Sequence, residues 1–319
     1  MNVTVLAGGV GGAKLAHGFA LCQPEIDLTV IVNTGDDFDH FGLRICPDLD
    51  TVCYTLAGLA NPQTGWGRKD ETYEVLRCVG ELGGPTWFRL GDKDLATHLE
   101  RTRRLSEGQR LSDVVTAFCS TWGIKARVLP MSDDSVRTMV DTREYGWLDF
   151  QNYFVRHACR PTIQKIVFEG IEQALPAAGV LEALEDSDLI VIAPSNPWVS
   201  IQPILSVKGI ASMIQSKKAV AVSPIIQGQT LKGPAAKMYR EMGIEPSPVA
   251  VAQHYSTLLW GLVMDELDRG FESTLMSSGI MVLSTQTIMQ NEQDRLSLAR
   301  EILTFSQDRN PNQMPRREF

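Results

Sequence analysis

Five short apolar runs recur along the chain, and each ends in small or polar residues. Runs that are apolar without alternation are typical of strands covered on both faces. Helical patterns such as VLEALEDSD and PILSVKGIASMIQSKK precede two of them. The pattern predicts an α/β fold with a doubly wound, mainly parallel, Rossmann-like sheet. The runs are VTVLAGG (3–9), LTVIVNTGDD (28–37), ARVLPMSDD (126–134), DLIVIAPSNP (188–197) and AVAVSPIIQG (219–228).

The alternation of strands and helices stops between about residues 38 and 125. Four amphipathic patterns there predict a helical insertion packed over the active edge of the sheet: DTVCYTLAGLA, ETYEVLRCVGEL, DLATHLERTRRL and LSDVVTAFCSTW. No repeat or low-complexity linker divides the sequence, so we expect a single α/β domain over residues 1–319. The polar tail, about 306–319, is expected to fray.

Charge and composition narrow the classes of ligand. A formal net charge of -8 over 319 residues argues against general nucleic-acid or membrane-surface binding, but a local pocket can still hold an anionic small molecule. No apolar stretch approaches a membrane span and the amino terminus has no basic leader, so we expect a cytoplasmic protein without a membrane partner. None of the six cysteines has metal-ligand spacing, which argues against zinc.

The first predicted strand runs into a glycine-rich turn, GGVGGAK (8–14). Such a turn before a helix commonly holds a phosphate on backbone N–H groups. The segment matches neither common fingerprint, because Ala13 and Leu15 flank Lys14 where a P-loop has glycine and serine or threonine. A phosphate loop and a closely packed strand-to-helix turn both remain open.

Carboxylates gather after the predicted strands. Asp36 and Asp37 follow the second strand, where hard oxygen ligands suit Mg²⁺, although adjacent acids are also common in solvated loops. Asp48 and Asp50 in CPDLDT either cap the next helix or face the site. Ligands of doubly wound sheets bind outside the carboxyl ends of the strands, so these groups are expected to converge.

Eight segments of the chain form a longer pattern: TVLAGGVGGAKLAHG, VNTGDDFDHFGLRICPDLDTVCYTLAG, GWGRKDETYE, WFRLGDKDLATHLERT, LPMSDDSVRT, FQNYFV, APSNPWVSIQPIL and VSPIIQGQTLKGPAAKM. Together they resemble the 2-phospho-L-lactate transferases of deazaflavin coenzyme biosynthesis, the CofD family. The resemblance runs from about residue 3 to about residue 270. A group of uridine-nucleotide-sugar-binding regulators shares the glycine-rich start but lacks segments of the CPDLDT and WFRLGDKDLATH type.

The resemblance implies a reaction. A phospho-acyl group, linked through a diphosphate to guanosine, passes to the ribityl hydroxyl of the deazaflavin Fo, GMP leaves, and coenzyme F420-0 or its dehydro form results. Mg²⁺ assists, and catalysis in such chemistry is mostly positioning and charge neutralisation. The family also implies a homodimer.

The resemblance implies roles for individual residues as well. Asp50 and Asp37 are the expected catalytic carboxylates, and Asp36, Asp37 and Asp50 the expected metal ligands. Asp50, Arg89 and Trp87 are expected at the Fo acceptor. The residues expected at the donor nucleotide and its phosphates are Gly8, Gly9, Gly11, Gly12, Lys14, Asn33, Ser195 and Asn196.

Two other functions stay open at this point. A non-catalytic nucleotide-sugar-binding regulator would share the glycine-rich fold. A dehydrogenase fits less well, because the glycine fingerprint is imperfect. The sequence does not distinguish phospholactate, phosphoenolpyruvate and 3-phosphoglycerate as the three-carbon acid, and it does not separate base from metal ligand at Asp50.

Overall fold

A sheet of seven parallel strands forms the centre of the molecule in the computed structural model, which describes residues 1–307. The strands run in the order β14-β13-β10-β9-β1-β2-β5, and neighbours pair in parallel. The expected doubly wound α/β fold is confirmed. Numbered in chain order, the strands are β1 (Asn2–Ala7), β2 (Asp27–Val32), β5 (Arg127–Pro130), β9 (Leu189–Ile192), β10 (Ala219–Val222), β13 (Gly261–Asp265) and β14 (Met281–Thr285).

Helices cover both faces of this sheet because its strands are apolar on both sides. Val5 belongs to the core on one face and Leu6 to the core on the other. The first core is closed by α1 (Gly9–Ala20), α2 (Pro47–Leu56), α5 (Leu111–Thr121) and α12 (Glu292–Gln307). The second is closed by α6 (Val180–Glu185), α7 (Gln202–Ser206), α8 (Ile210–Gln215), α9 (Ala235–Glu241), α10 (Pro248–Tyr255) and α11 (Glu272–Ser277).

Residues 38–125 begin with a short antiparallel hairpin, β3 (Phe38–His40) and β4 (Leu43–Ile45), before the helices start. Its turn uses the left-handed conformation at Phe41 and Gly42. Helices α3 (Glu74–Glu81) and α4 (Asp92–Ser106) lie between α2 and α5. The boundaries predicted for the insertion stay a prediction. The frayed tail was predicted to begin at about residue 306. Residues 306 and 307 form the end of α12, and the rest of the tail, from residue 308, lies outside the described residues.

A second, antiparallel sheet lies beside the central one, and the sequence pattern did not predict it. Its strands are β6 (Arg137–Thr142), β7 (Gly146–Asp149) and β8 (Ile163–Glu169), in the order β7-β6-β8. The remaining elements are a small hairpin of β11 (Ile225–Ile226) and β12 (Gln229–Thr230), π-helical turns at Asn152–Arg156 and Pro197–Ile201, and a 3₁₀ turn at Glu266–Phe271.

The register of the central strands brings their carboxyl ends to one edge. Ala7 pairs with Val32, Val32 with Pro130, and Leu6 with Ile192. The glycine turn and the loops after β2, β5 and β9 therefore meet there. Within residues 1–307, no helix combines the length and the apolarity that crossing a membrane requires.

Candidate active site

An open cleft of about 750 Å³ lies at the carboxyl edge of the sheet. The glycine turn and the loop after β9 form one side, and α2 and α4 form another. The segment after β7, with Phe150 and Phe154, completes it. The cleft is large enough for a drug-sized or cofactor-sized ligand.

Asp48 bonds one amide of the glycine turn, where the sequence led us to expect a phosphate. The amide of Gly9, which has a φ of +61°, donates to Asp48 Oδ1 over 2.7 Å. Asn33 Nδ2 donates to the other oxygen, Oδ2, over 2.9 Å. Burial raises the pKa of Asp48 to about 6, against the lowering effect of these two hydrogen bonds. Asp48 does not act as an N-terminal cap of α2, because the helix begins without a side-chain cap.

The loop after β9 is bonded directly to the glycine turn. Ser195 Oγ donates to the carbonyl of Gly8 over 2.7 Å and lies 3.1 Å from the amide of Gly8. Asn196 caps the π-helical turn by accepting from the amide of Trp198. Ser195 and Asn196 both line the cleft.

Asp36 and Asp37 after β2 are both buried, but only Asp36 lines the cleft. Asp36 lines the cleft, and burial, with the neighbouring Asp48 and Asp37, holds its pKa well above the ordinary value. Asp37 lies behind it, 4.0 Å from Arg44 Nε, outside the lining of the cleft among the described residues. Burial raises the pKa of Asp37 to about 7, although Arg44 lowers it.

Asp50 lies at the centre of a buried polar cluster that faces the cleft. Arg101 donates to Asp50 Oδ1, and Asp50 Oδ2 is buried without a hydrogen-bond partner among the described residues. Ligating atoms of Asp50, Asp94 and His98 all lie within 4.8 Å of one another. Tyr54 donates to Asp94 Oδ1 over 2.7 Å. The unpartnered oxygen and the two carboxylates suit a divalent cation.

Aromatic side chains form the wall of the cleft at the insertion. Trp87 packs against His40 and Phe88, with ring centroids 5.4 and 5.6 Å apart. The Arg89 guanidinium lies over the Tyr73 ring, 4.5 Å from its centroid. Trp87 and Arg89 both line the cleft, as the prediction of an acceptor site requires, and Phe154 stacks on Phe150 across from them.

Some predicted site residues point elsewhere. Lys14 Nζ donates to the carbonyl of Met289 over 2.6 Å. A Cβ at Gly12 would lie 2.6 Å from Ser195 Oγ, so Gly12 serves the close packing of α1 on the loop after β9. Asn33 is fully buried and, besides Asp48, bonds the backbone at Gly35 and Val199. In the described part of the chain, the cleft is not lined by Lys14, Gly12 or Asn33.

The sequence interpretation assigned no role to Asp94, His98 or Arg101. Their spacing of four and then three residues puts them on one face of α4. The helical spacing of these three ionisable residues is the sequence signal that indicates a buried polar face. The partner of this face, Asp50 on α2, is visible only in the fold.

Comparison with known proteins decides the family. A model of the family described as 2-phospho-L-lactate transferase CofD matches residues 3–292. The chain belongs to this family. The resemblance inferred from the motifs is therefore confirmed.

Relatives agree with the family assignment, and a solved structure agrees with the fold. A phosphoenolpyruvate transferase of Streptomyces griseus is 44% identical, over 97% of this chain and 99% of the relative. A 2-phospho-L-lactate transferase of Methanococcoides burtonii is 39% identical, over 94% and 98%. The crystal structure of a UPF0052 family member from Bacillus halodurans superposes with a TM-score of 0.63 at 18% identity, covering 95% of this chain and 98% of that one, and shows the fold alone. The regulator alternative gains no support from the named relatives.

Proposed function

We propose that this chain transfers a phosphorylated three-carbon acid from a guanosine diphosphate-linked donor to the ribityl hydroxyl of the deazaflavin Fo. GMP leaves, and coenzyme F420-0 or its dehydro form results. The relatives named above are transferases of two such acids, phosphoenolpyruvate and 2-phospho-L-lactate. The observation that carries the proposal is that one cleft is lined by the glycine turn, the Asp50 cluster and an aromatic wall.

The bonds made and broken can be written from these groups. The acceptor oxygen attacks the phosphorus that bears the three-carbon acid, and the bond from that phosphorus to the bridging oxygen of the diphosphate breaks. GMP leaves with the bridging oxygen. The proton of the attacking hydroxyl passes to the carboxylate pair of Asp50 and Asp94, which faces the cleft. The main tasks of the protein are to align the two oxygens and to neutralise charge.

A divalent cation, which we propose to be Mg²⁺, fits the carboxylates of this cluster. When bound, the cation neutralises the charge of the diphosphate. Arg101 holds Asp50 through Oδ1, which leaves Oδ2 without a hydrogen-bond partner among the described residues. Asp36, predicted as a ligand, lines the same cleft, whereas Asp37 lies behind it. We propose Asp50 and Asp94 as the ligands, because their ligating oxygens lie within 4.8 Å of each other and Asp50 Oδ2 has no hydrogen-bond partner among the described residues.

The two substrates are proposed to bind at opposite ends of the cleft. The donor phosphates would lie at the glycine turn, next to Ser195, Asn196 and the ammonium of Lys232, all of which line the cleft. Asp48 bonds the Gly9 amide, so the phosphates would use the neighbouring amides of α1. The flat ring system of Fo would lie on the aromatic wall beside Arg89.

Substitution of the carboxylates tests the chemistry. Asp50→Asn and Asp94→Asn keep the shape and remove one charge each, so kcat should fall by about 10²-fold or more. Calorimetry should show that both variants still bind Fo, because the aromatic wall is unchanged. Asp113→Asn is the matched control, since its carboxylate is about half exposed and pairs with Arg110 on the surface. Wild-type kcat in both cluster variants would contradict the assignment.

The assembly and the location of the protein are also proposals. We propose a homodimer, as the family resemblance implies, and a cytoplasmic location, as the sequence led us to expect. Sedimentation equilibrium at micromolar concentration measures the first directly. A monomeric mass across the accessible range would contradict it.

A further inference from the structure

His98 belongs by position to the cluster that suits a cation, yet its hydrogen bond with Arg101 determines whether it can be a ligand. The side chain is 2% exposed and lines the cleft. Asp50, Asp94 and His98 are close enough to be three ligands of one ion. Whether His98 is a ligand depends on which ring nitrogen carries the proton.

Arg101 determines the position of that proton. A guanidinium has five N–H donors and no acceptor. Arg101 Nη1 lies 3.1 Å from His98 Nδ1, so Nδ1 accepts this hydrogen bond and carries no proton. The neutral ring then has its proton on Nε2. Asp50 Oδ2 is 3.6 Å from Nδ1, which is too long for the competing Asp–His hydrogen bond.

This tautomer leaves the ring without a lone pair for a cation. The pair on Nδ1 receives the Arg101 donor, and the Nε2 atom is bonded to hydrogen. Nε2 lies 3.4 Å from Asp94 Oδ1, the same oxygen that accepts from Tyr54. This distance exceeds hydrogen-bond length, and Nε2 has no hydrogen-bond partner among the described residues.

We propose that His98 is not a metal ligand: Arg101 fixes its Nε2–H tautomer, which leaves the ring no lone pair for a cation, so that Asp50 and Asp94 supply the ligands from this cluster. The proposal rests on the proposed function only for the presence of a cation. A donor set of carboxylate oxygens favours Mg²⁺ or Mn²⁺, whereas an imidazole ligand would favour Zn²⁺.

The tautomer can be measured directly. The full chain is labelled with ¹⁵N in the histidine rings, and its spectra are recorded at pH 7.5 with and without Mg²⁺. The His98 signals are those that disappear in His98→Gln. We expect Nδ1 without a proton and Nε2 with one in both spectra. An Nδ1–H tautomer, or loss of the Nε2 proton on addition of Mg²⁺, would overturn the proposal.

The part played by Arg101 has its own test in the same spectra. Arg101→Met removes the donor to Nδ1, so the Nδ1–H tautomer becomes allowed and its signals should appear. If the folded variant keeps the Nε2–H tautomer alone, Arg101 does not set it. The wild-type spectra decide the tautomer even if this variant fails to fold.

Mn²⁺ binding, followed by electron paramagnetic resonance, tests the ligand set. Asp94→Asn should weaken Mn²⁺ binding by about tenfold or more, whereas His98→Gln removes no proposed ligand and should weaken it by less than about threefold. Equal losses in the two variants, or no Mn²⁺ binding by the wild type, would overturn the proposal. Neither measurement uses donor or Fo, so failure of the transfer reaction would be seen separately.

Discussion

Replacement of Arg101 by methionine tests the electrostatic design of the candidate site. The Arg101 side chain is 1% exposed, and its guanidinium donates to Asp50, to His98 and, over 3.2 Å, to the carbonyl of Arg44. Methionine fills much of the same volume but leaves the Asp50 carboxylate buried without its cation. Removing one partner of a buried ion pair typically costs about 3–5 kcal/mol.

The expected effect is large enough for calorimetry. In a chain of this size 1 kcal/mol corresponds to roughly 2 °C, so Arg101→Met should lower Tm by about 6–10 °C at pH 7.5 without divalent cations. The double variant Asp50→Asn/Arg101→Met removes both charges and should recover at least half of that loss. It shows whether the unpaired carboxylate, and not lost packing, causes the loss.

Arg103→Met is the matched control, because it lies on the same helix and removes a surface guanidinium. Its ion pairs with Glu100 and Glu107 are about half exposed, and exposed pairs contribute roughly 0–1 kcal/mol. If Arg101→Met loses no more stability than Arg103→Met, the buried pair is not important for folding. A double variant no more stable than Arg101→Met would refute the electrostatic reasoning.

Three further predictions concern other parts of the molecule. Gly11→Val puts a Cβ 2.6 Å from the carbonyl oxygen of Pro194, so Tm should fall and donor binding should weaken together; an unchanged Tm would show that the turn adapts. Burial lowers the pKa of His254 from 6.5 to about 4, so between these two pKa values the unfolded chain binds more protons than the folded one. The free energy of unfolding should therefore decrease by about 2 kcal/mol from pH 8 to pH 5. His254→Phe should lose this dependence, and parallel Tm profiles would contradict it. Arg89→Ala should raise the KM for Fo with Tm unchanged, since Arg89 is exposed; an unaltered KM would move the acceptor site.

The sequence predicted the strands whose neighbours bury them on both faces. Val30 and Val191 are fully buried, and their runs are continuously apolar. Strand β6 alternates buried residues with exposed or half-buried ones, because one of its faces packs on the molecule, so it lacks the continuous apolar run of the central strands. β13 and β14 were missed as well, although residues 261–265 are all buried. Their order in the sheet depends on pairings that no local pattern contains.

The motifs of the sequence implied several residues that the fold brings to one cleft. Asp50, Arg89 and Ser195 line the cleft that their motifs implied. Asp48 bonds Gly9, which lies 39 positions away in the sequence. Arg101 bonds Asp50, which lies 51 positions away. Such contacts follow from how α2 and α4 pack, which residue spacing does not specify.

The central claim is that this chain moves a phosphorylated three-carbon acid onto Fo. The direct measurement incubates purified protein with Fo, Mg²⁺ and, one at a time, guanosine diphosphate-linked phosphoenolpyruvate, 2-phospho-L-lactate and 3-phosphoglycerate, and follows products by mass spectrometry. With at least one donor, we expect an F420-0-type phosphodiester and an equal amount of GMP, and no product after EDTA treatment. Tight binding of a guanosine-linked donor with no transfer to Fo from any of the three would contradict the account.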